Sequence, residues 1–99
     1  MDIKSWKIML AVDDYGSFTR VGEELGYTQS GITQMMKALE KEVGFSLFIK
    51  DNHGVTLTKE AKALIPAIRN LLNADEEINQ EIASLKGAQV GTIRIGTYL

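Results

Sequence analysis

The stretch TQSGITQMMKALEKEVG, Thr28 to Gly44, carries the residues best suited to chemistry. At 100° per residue, Ser30, Thr33, Gln34, Lys37 and Lys41 share one arc of a helix. That arc combines short hydroxyls, an amide and two cations, and it contains no acid. Such groups read base edges and phosphates in nucleic acids. Gln29 or Gln34 can pair bidentately with adenine N6 and N7, Ser30 and Thr33 can accept or donate, and the Thr33 methyl can touch a thymine methyl. Lys37 and Lys41 suit phosphate. Counted with them as candidate DNA contacts are Arg20 and the cap residue Thr28. On an isolated helix a polar arc is ordinarily a solvated face, so the surrounding elements must decide.

Other chemistry has little to build on. The sequence has no cysteine, which removes disulfides, thiolate metal sites and a cysteine nucleophile. His53 is the single histidine, beside Asp51 and Asn52, and suits a phosphate contact or plain solvent exposure better than a metal or catalytic role. The acid pairs Asp13–Asp14 and Glu23–Glu24 lack a nucleophile or pocket and are read as solvated faces. An enzyme is the weakest reading, and no cofactor is expected in this stretch.

Ninety-nine residues suffice for one small domain with an appended element. The N-terminus lacks the pattern of a signal peptide or a membrane span, so a soluble cytoplasmic protein is expected. The net charge of −2 opposes simple nucleic-acid binding. Residues 1–58 hold six Lys and Arg against eight Asp and Glu, and residues 59–99 hold five of each. Any DNA contact must therefore come from local placement of cations, and Asp13, Asp14, Glu23 and Glu24 do all precede Thr28.

The elements that position the polar arc follow from periodicity. A first helix is expected from Ile3 to Asp14, with Ile3, Trp6 and Leu10 inward and Met9 and Val12 at the margin of that face. Ser17 caps a second helix, FTRVGEEL, which Gly26 ends, with Phe18, Val21 and Leu25 inward. Only Gly26 and Tyr27 then precede the Thr28 cap, a spacing that predicts a helix-turn-helix over about 18–37. The third helix, 28–43, buries Ile32, Met36, Leu39 and Val43, with Met35 on the shoulder. Trp6 and the methionines are read as core.

After Gly44 the period changes to two. Phe45, Leu47 and Ile49 alternate, Val55 and Leu57 alternate, and DNHG joins the runs, which predicts a hairpin over 45–57. Two strands alone are unstable in water, so the hairpin must lean on the helices as a wing. Thr58 caps a long helix expected to reach about Lys86, with Gly87 as its stop and Pro66 as a local strain. Within it Ala61, Leu64, Ile68, Leu71, Asp75, Ile78, Ile82 and Leu85 repeat at spacings of 3, 4, 3, 4, 3, 4, 3. That is a heptad seam, paired with a second copy or packed along the domain's own flank, with Asp75 restricting its register. Val90, Ile93 and Ile95 suggest a strand without a ladder partner, disordered or paired with another chain.

Three stretches carry a family resemblance: GSFTRVGEELGYTQSGITQMMKALEKEVGFSLF from Gly16 to Phe48, GVTLTKEAKALIP, and GTIRIG. They resemble the N-terminal part of a LysR-type transcriptional regulator. GSFT, TQ, the Leu39–Glu40 pair, the G-x-x-LF of Gly44 to Phe48, and LT before a long helix recur in order. The resemblance implies a mainly α fold: a winged helix-turn-helix of three helices and a two-stranded wing over 1–58, then a dimerisation linker helix over 59–88. Residues 89–99 would open an effector-binding domain absent from this chain, where a small co-inducer binds. Implied partners are double-stranded DNA and a second copy through the linker helix, giving a tetramer at full length, with no membrane. By position, Gln29, Ser30, Thr33 and Gln34 match base- or phosphate-contacting residues. Ser17 and Thr19 match hydroxyls that bond phosphate at a helix N-terminus. Lys50 and His53 stand at wing positions that usually carry arginine and enter or border the minor groove.

The departures carry expectations of their own. Ser30 and Gly31 replace a common proline and alanine, which suggests a looser first turn; Val21 and Gly22 replace Ala-Ala, and Glu60 and Ala61 an alanine-glycine pair. Lys50 and His53 lack arginine's planar bidentate contacts, so non-specific affinity should be weaker and its salt slope shallower. Two alternatives remain at this stage: an interaction module that keeps the fold with little DNA affinity, motivated by the acidic balance, and a domain like that of molybdate-responsive regulators, which GTIRIG disfavours.

Overall fold

A computed structural model describes residues 2–90. Its elements are α1 (Ile3–Tyr15), α2 (Phe18–Leu25), α3 (Gln29–Val43), β1 (Phe48–Asp51), β2 (Gly54–Leu57) and α4 (Lys59–Val90). Each helix begins where a side-chain oxygen meets an orphan amide. Asp2 accepts from Ser5 N–H at 2.9 Å, Ser17 from Arg20 at 3.2 Å, Thr28 from Gly31 at 3.0 Å and Thr58 from Ala61 at 3.2 Å. Each such cap contributes about 1 kcal/mol. The Ser5 amide also holds the Asp2 carboxyl below its ordinary value.

The core of the first three helices differs from expectation in α1, at Leu25 and at Val43, which lies half-buried in the last turn of α3. Ile8 is buried with Trp6, Met9 and Val12, while Ile3 and Leu10 are half-buried. The reason is that α1 packs against β2 as well as against α2 and α3, so its buried arc is displaced toward the wing. Leu25 is 46% exposed, contrary to expectation, because α2 is short and its inward face ends at Val21 and Gly22. A Cβ on Gly22 would lie 2.7 Å from the Tyr27 carbonyl oxygen, and Tyr27 N–H donates to the Gly22 carbonyl at 2.8 Å. The missing side chain thus lets the turn close directly onto α2.

β1 and β2 pair antiparallel, with Phe48 opposite Leu57 and Asp51 opposite Gly54. The connection narrows to Asn52 and His53, and the Asp51 carboxylate accepts from His53 N–H at 2.8 Å. Of the expected alternation Phe45, Leu47, Ile49, only Leu47 is buried; Phe45 is 38% and Ile49 50% exposed. Leu47 precedes the ladder and acts as a tie. Its N–H donates to Glu40 Oε2 at 2.7 Å, and its carbonyl accepts from Thr58 N–H at 2.9 Å. Thr58 Oγ1 also donates to the Ser46 carbonyl at 2.8 Å, so one threonine starts α4 and fastens it to the segment between α3 and β1. Three helices, a docked two-stranded hairpin and a long following helix make this a winged helix-turn-helix.

α4 runs unbroken for 32 residues, through Pro66 and through Gly87. Gly87 does not stop it, because the described glycines with positive φ are Gly16, Gly26, Gly44 and Gly54. Val90 therefore ends a helix and does not start a strand; the strand expected further on lies outside the described residues. One compact unit reaches to Ile68, and a second begins at Arg69. In the first, Ala61 and Ile68, expected on the dimerisation seam, are buried in the chain's own core. Leu64 is half-buried. In the second, Leu71, Ile78, Ile82 and Leu85 are 40–60% exposed, and Asp75 accepts from the Asn79 amide at 3.5 Å. No helix among the described residues is long and apolar enough to cross a membrane.

Candidate nucleic-acid interface

α3 buries Ile32, Met36 and Leu39 and turns its other arc outward, as the period requires. Gln29, Ser30, Gln34, Lys37 and Lys41 are exposed and Thr33 is half-exposed. Their hydrogen bonding decides what each can offer. Thr33 Oγ1 donates to the Gln29 carbonyl at 3.0 Å, which fixes its rotamer and leaves the hydroxyl oxygen able to accept. Thr28 Oγ1 and Ser30 Oγ lie 3.3 Å apart, and with the Thr28–Gly31 cap they close the first turn. That turn is braced where the Ser30–Gly31 pair suggested looseness. A Cβ on Gly31 would come within 3.0 Å of Thr28 Oγ1, so glycine leaves the cap room. The Gln29 and Gln34 amides have no protein partner among the described residues and are available for a ligand.

Around this helix stand the other expected residues. Ser17 uses a lone pair on Arg20 N–H and keeps its hydroxyl proton to donate, while Thr19 is exposed beside it. The Arg20 guanidinium lies 5.4 Å from the Tyr15 ring centroid, which draws it toward the end of α1. Lys4 Nζ sits 4.8 Å from the Tyr27 ring, and the Tyr27 phenol raises the Lys4 pKa above its ordinary value. His53 occupies the exposed wing tip. Lys50 does not extend beside it: its Nζ lies 4.8 Å from the Phe18 ring. Phe18 in turn meets Phe48 edge to face at 5.3 Å. Lys41, in the last turn of α3, is placed favourably against the helix dipole.

Phe18, Thr33, Met36, Lys37, Glu40, Ser46, Phe48 and Lys50 line a groove of about 350 Å³ between α2, α3 and β1. The sequence showed Glu40 only as half of the Leu39–Glu40 pair and gave it no role; its bond to Leu47 shows that it fixes the approach to the wing. Glu40→Ala is expected to cost about 1–3 kcal/mol, since it leaves a part-buried amide unsatisfied. Glu40→Gln keeps an acceptor and should cost less. Urea denaturation of both variants checks this, and equal losses would show that the Leu47 bond is not the cause.

Comparison with known proteins follows this geometry closely. Residues 3–62 match the family described as "Bacterial regulatory helix-turn-helix protein, lysR family". The chain belongs to the LysR family. This LysR-family chain is 35% identical over 99 residues to the uncharacterized HTH-type transcriptional regulator YvbU of Bacillus subtilis, covering 99% of itself and 34% of YvbU. Among solved structures it resembles the LysR family transcriptional regulator VV2_1132, with a TM-score of 0.82 and 26% identity over 93% of this chain and 31% of that one. It also resembles full-length CbnR complexed with its target DNA, with a TM-score of 0.74 and 27% identity over 88% of this chain and 31% of CbnR. The LysR-family chain thus spans about a third of the length of these relatives.

Proposed function

We propose that the chain is the DNA-binding part of a LysR-type transcriptional regulator, which lays α3 in the major groove of promoter DNA and sets the wing against the flanking backbone. The observation that carries this reading is the exposed arc of α3, where two unpartnered glutamine amides, a rotamer-locked threonine and two lysines stand together, the one acid among them, Glu40, being half-buried and engaged with Leu47 N–H. Gln29 and Gln34 would read base edges, most readily adenine, and Thr33 would accept from a base amino group while its methyl meets thymine. Ser17, Thr19 and Lys41 would hold phosphates and fix the register. The net charge of −2 is compatible because the acids of α1 and α2 lie off this arc.

Two copies would pair through the exposed part of the α4 seam and present two recognition helices to dyad-related half-sites. In the full-length protein a further domain would bind a small co-inducer and adjust that arrangement.

Fluorescence anisotropy on random-sequence duplex DNA across a salt series tests the DNA reading. The wild type should bind with a steep negative salt slope, and the variant with Thr33, Gln34 and Lys37 replaced by alanine should bind more weakly by roughly several-fold, with a shallower slope. Absence of binding by a folded wild-type dimer at low salt would instead favour an interaction module that has kept the fold.

A further inference from the structure

Lys50 lies away from where the family's wing position implies. A cation at that position would reach the minor groove if it extended from the hairpin, yet its Nζ is held 4.8 Å from the Phe18 ring, back against the N-terminus of α2. Phe18 is 6% exposed and locked edge to face against Phe48, so the platform under Lys50 is part of the core and cannot swing. The groove beside it also contains Lys37 from α3, together with the Thr33 and Ser46 side chains. Neither lysine has an ion-pair partner among the described residues. The one acid in the groove, Glu40, gives an oxygen to Leu47 N–H. Two cations from separate elements therefore face one concave, part-polar space with a single engaged carboxylate to oppose them.

We propose that this groove is a phosphate subsite in which Lys50, pinned on Phe18, and Lys37 bracket a single phosphodiester of the DNA strand bordering the major groove. The inference rests on the DNA reading above and deepens it. Lys50 is a phosphate ligand on the α3 side, and the wing's minor-groove approach is left to His53. Phe18 acts as a positioning residue, since a cation over an aromatic face is attracted to it while its remaining ammonium protons stay free to donate.

The test compares the wild-type 99-residue chain with Lys37→Gln, Lys50→Gln, the double variant and Lys50→Arg on random-sequence duplex DNA across salt. Loss of a phosphate contact weakens binding uniformly over sequences, so no operator is needed. Each neutralised phosphate contributes about 0.9 to the slope of log K against log salt. One shared phosphate predicts that both single variants lose affinity while the double variant loses about 0.9 of slope in total, about eightfold in affinity at 0.1 M salt; Lys50→Arg should retain most binding. A total loss of about 1.8 would assign the lysines to two phosphates, and a silent single variant would remove that lysine from the site; either result overturns the proposal. Wild-type binding without salt dependence would overturn the DNA reading itself, and this subsite with it. Proton NMR of the free chain provides a reading that needs no DNA. The Lys50 side-chain methylenes should be shifted upfield by the Phe18 ring, and unshifted signals would show that the pinning on which the subsite depends is absent.

Discussion

Gly54→Ala is expected to destabilise the domain by about 3 kcal/mol and to lower Tm by roughly 10–20 °C. Two independent effects add. Gly54 has φ +119°, a backbone region that side chains bearing a Cβ rarely adopt and that costs about 1–3 kcal/mol. Its Cβ would also stand 2.6 Å from the Gly16 carbonyl oxygen, a backbone atom that cannot rotate away. That same oxygen accepts from Val55 N–H at 3.0 Å, so relieving the overlap breaks the bond that docks the wing on the turn between α1 and α2. Overpacking of this kind costs about 1–3 kcal/mol, against a gain of under about 1 kcal/mol from a stiffer unfolded chain. Gly26 provides the control. It has φ +81° with nothing near its Cβ position, so Gly26→Ala should cost only about 1–2 kcal/mol for the left-handed conformation. Thermal and urea unfolding of the two variants separate the cases, and similar losses would mean that the approach of β2 to Gly16 contributes nothing.

The second large effect concerns the exposed stretch of α4. Ile78 and Ile82 are 60% and 44% exposed in the single chain, on an apolar seam that Asp75 interrupts. If the seam pairs with a second copy, each isoleucine would gain about 1 kcal/mol from burying its remaining surface, which makes about 4 kcal/mol for the pair of residues in both protomers. The double variant Ile78→Asp, Ile82→Asp should therefore raise the dimer dissociation constant by roughly a thousandfold, before any further cost of desolvating the carboxylates. The thermal stability of the winged unit should stay close to wild type, because neither residue belongs to its core. Sedimentation equilibrium reads the effect directly. A wild-type chain that sediments as a monomer at high concentration would remove the seam as an interface.

Local chemistry is what made much of this fold legible in advance. Ser17, Thr28 and Thr58 cap helices as their types and positions suggested, and α3 begins and ends where a hydroxyl and a left-handed glycine bracket its apolar stripe. These signals operate within one helical turn, so neighbours in sequence carry them completely. Boundaries governed by distant contacts were less readable. Gly87 looked like a stop, yet a glycine ends a helix only when its backbone turns left-handed, and here the helix continues. Phe45 and Ile49 shared the parity of Leu47 but not its burial, because the ladder starts only at Phe48 and the chain before it is placed by Glu40 and Thr58.

The sequence by itself determined the helix-turn-helix, the presence of a wing, the polar arc of α3 and the family, because each rests on residue type and short-range spacing. Tertiary structure alone decided which expected seam residues are spent on the chain's own core, as Ala61 and Ile68 are, since burial depends on what the first turns of a helix meet. It also decided where the cations go. Arg20 rests on Tyr15 and Lys50 on Phe18, placements that no periodicity encodes, because a flexible charged stem takes its direction from an aromatic face brought near by folding.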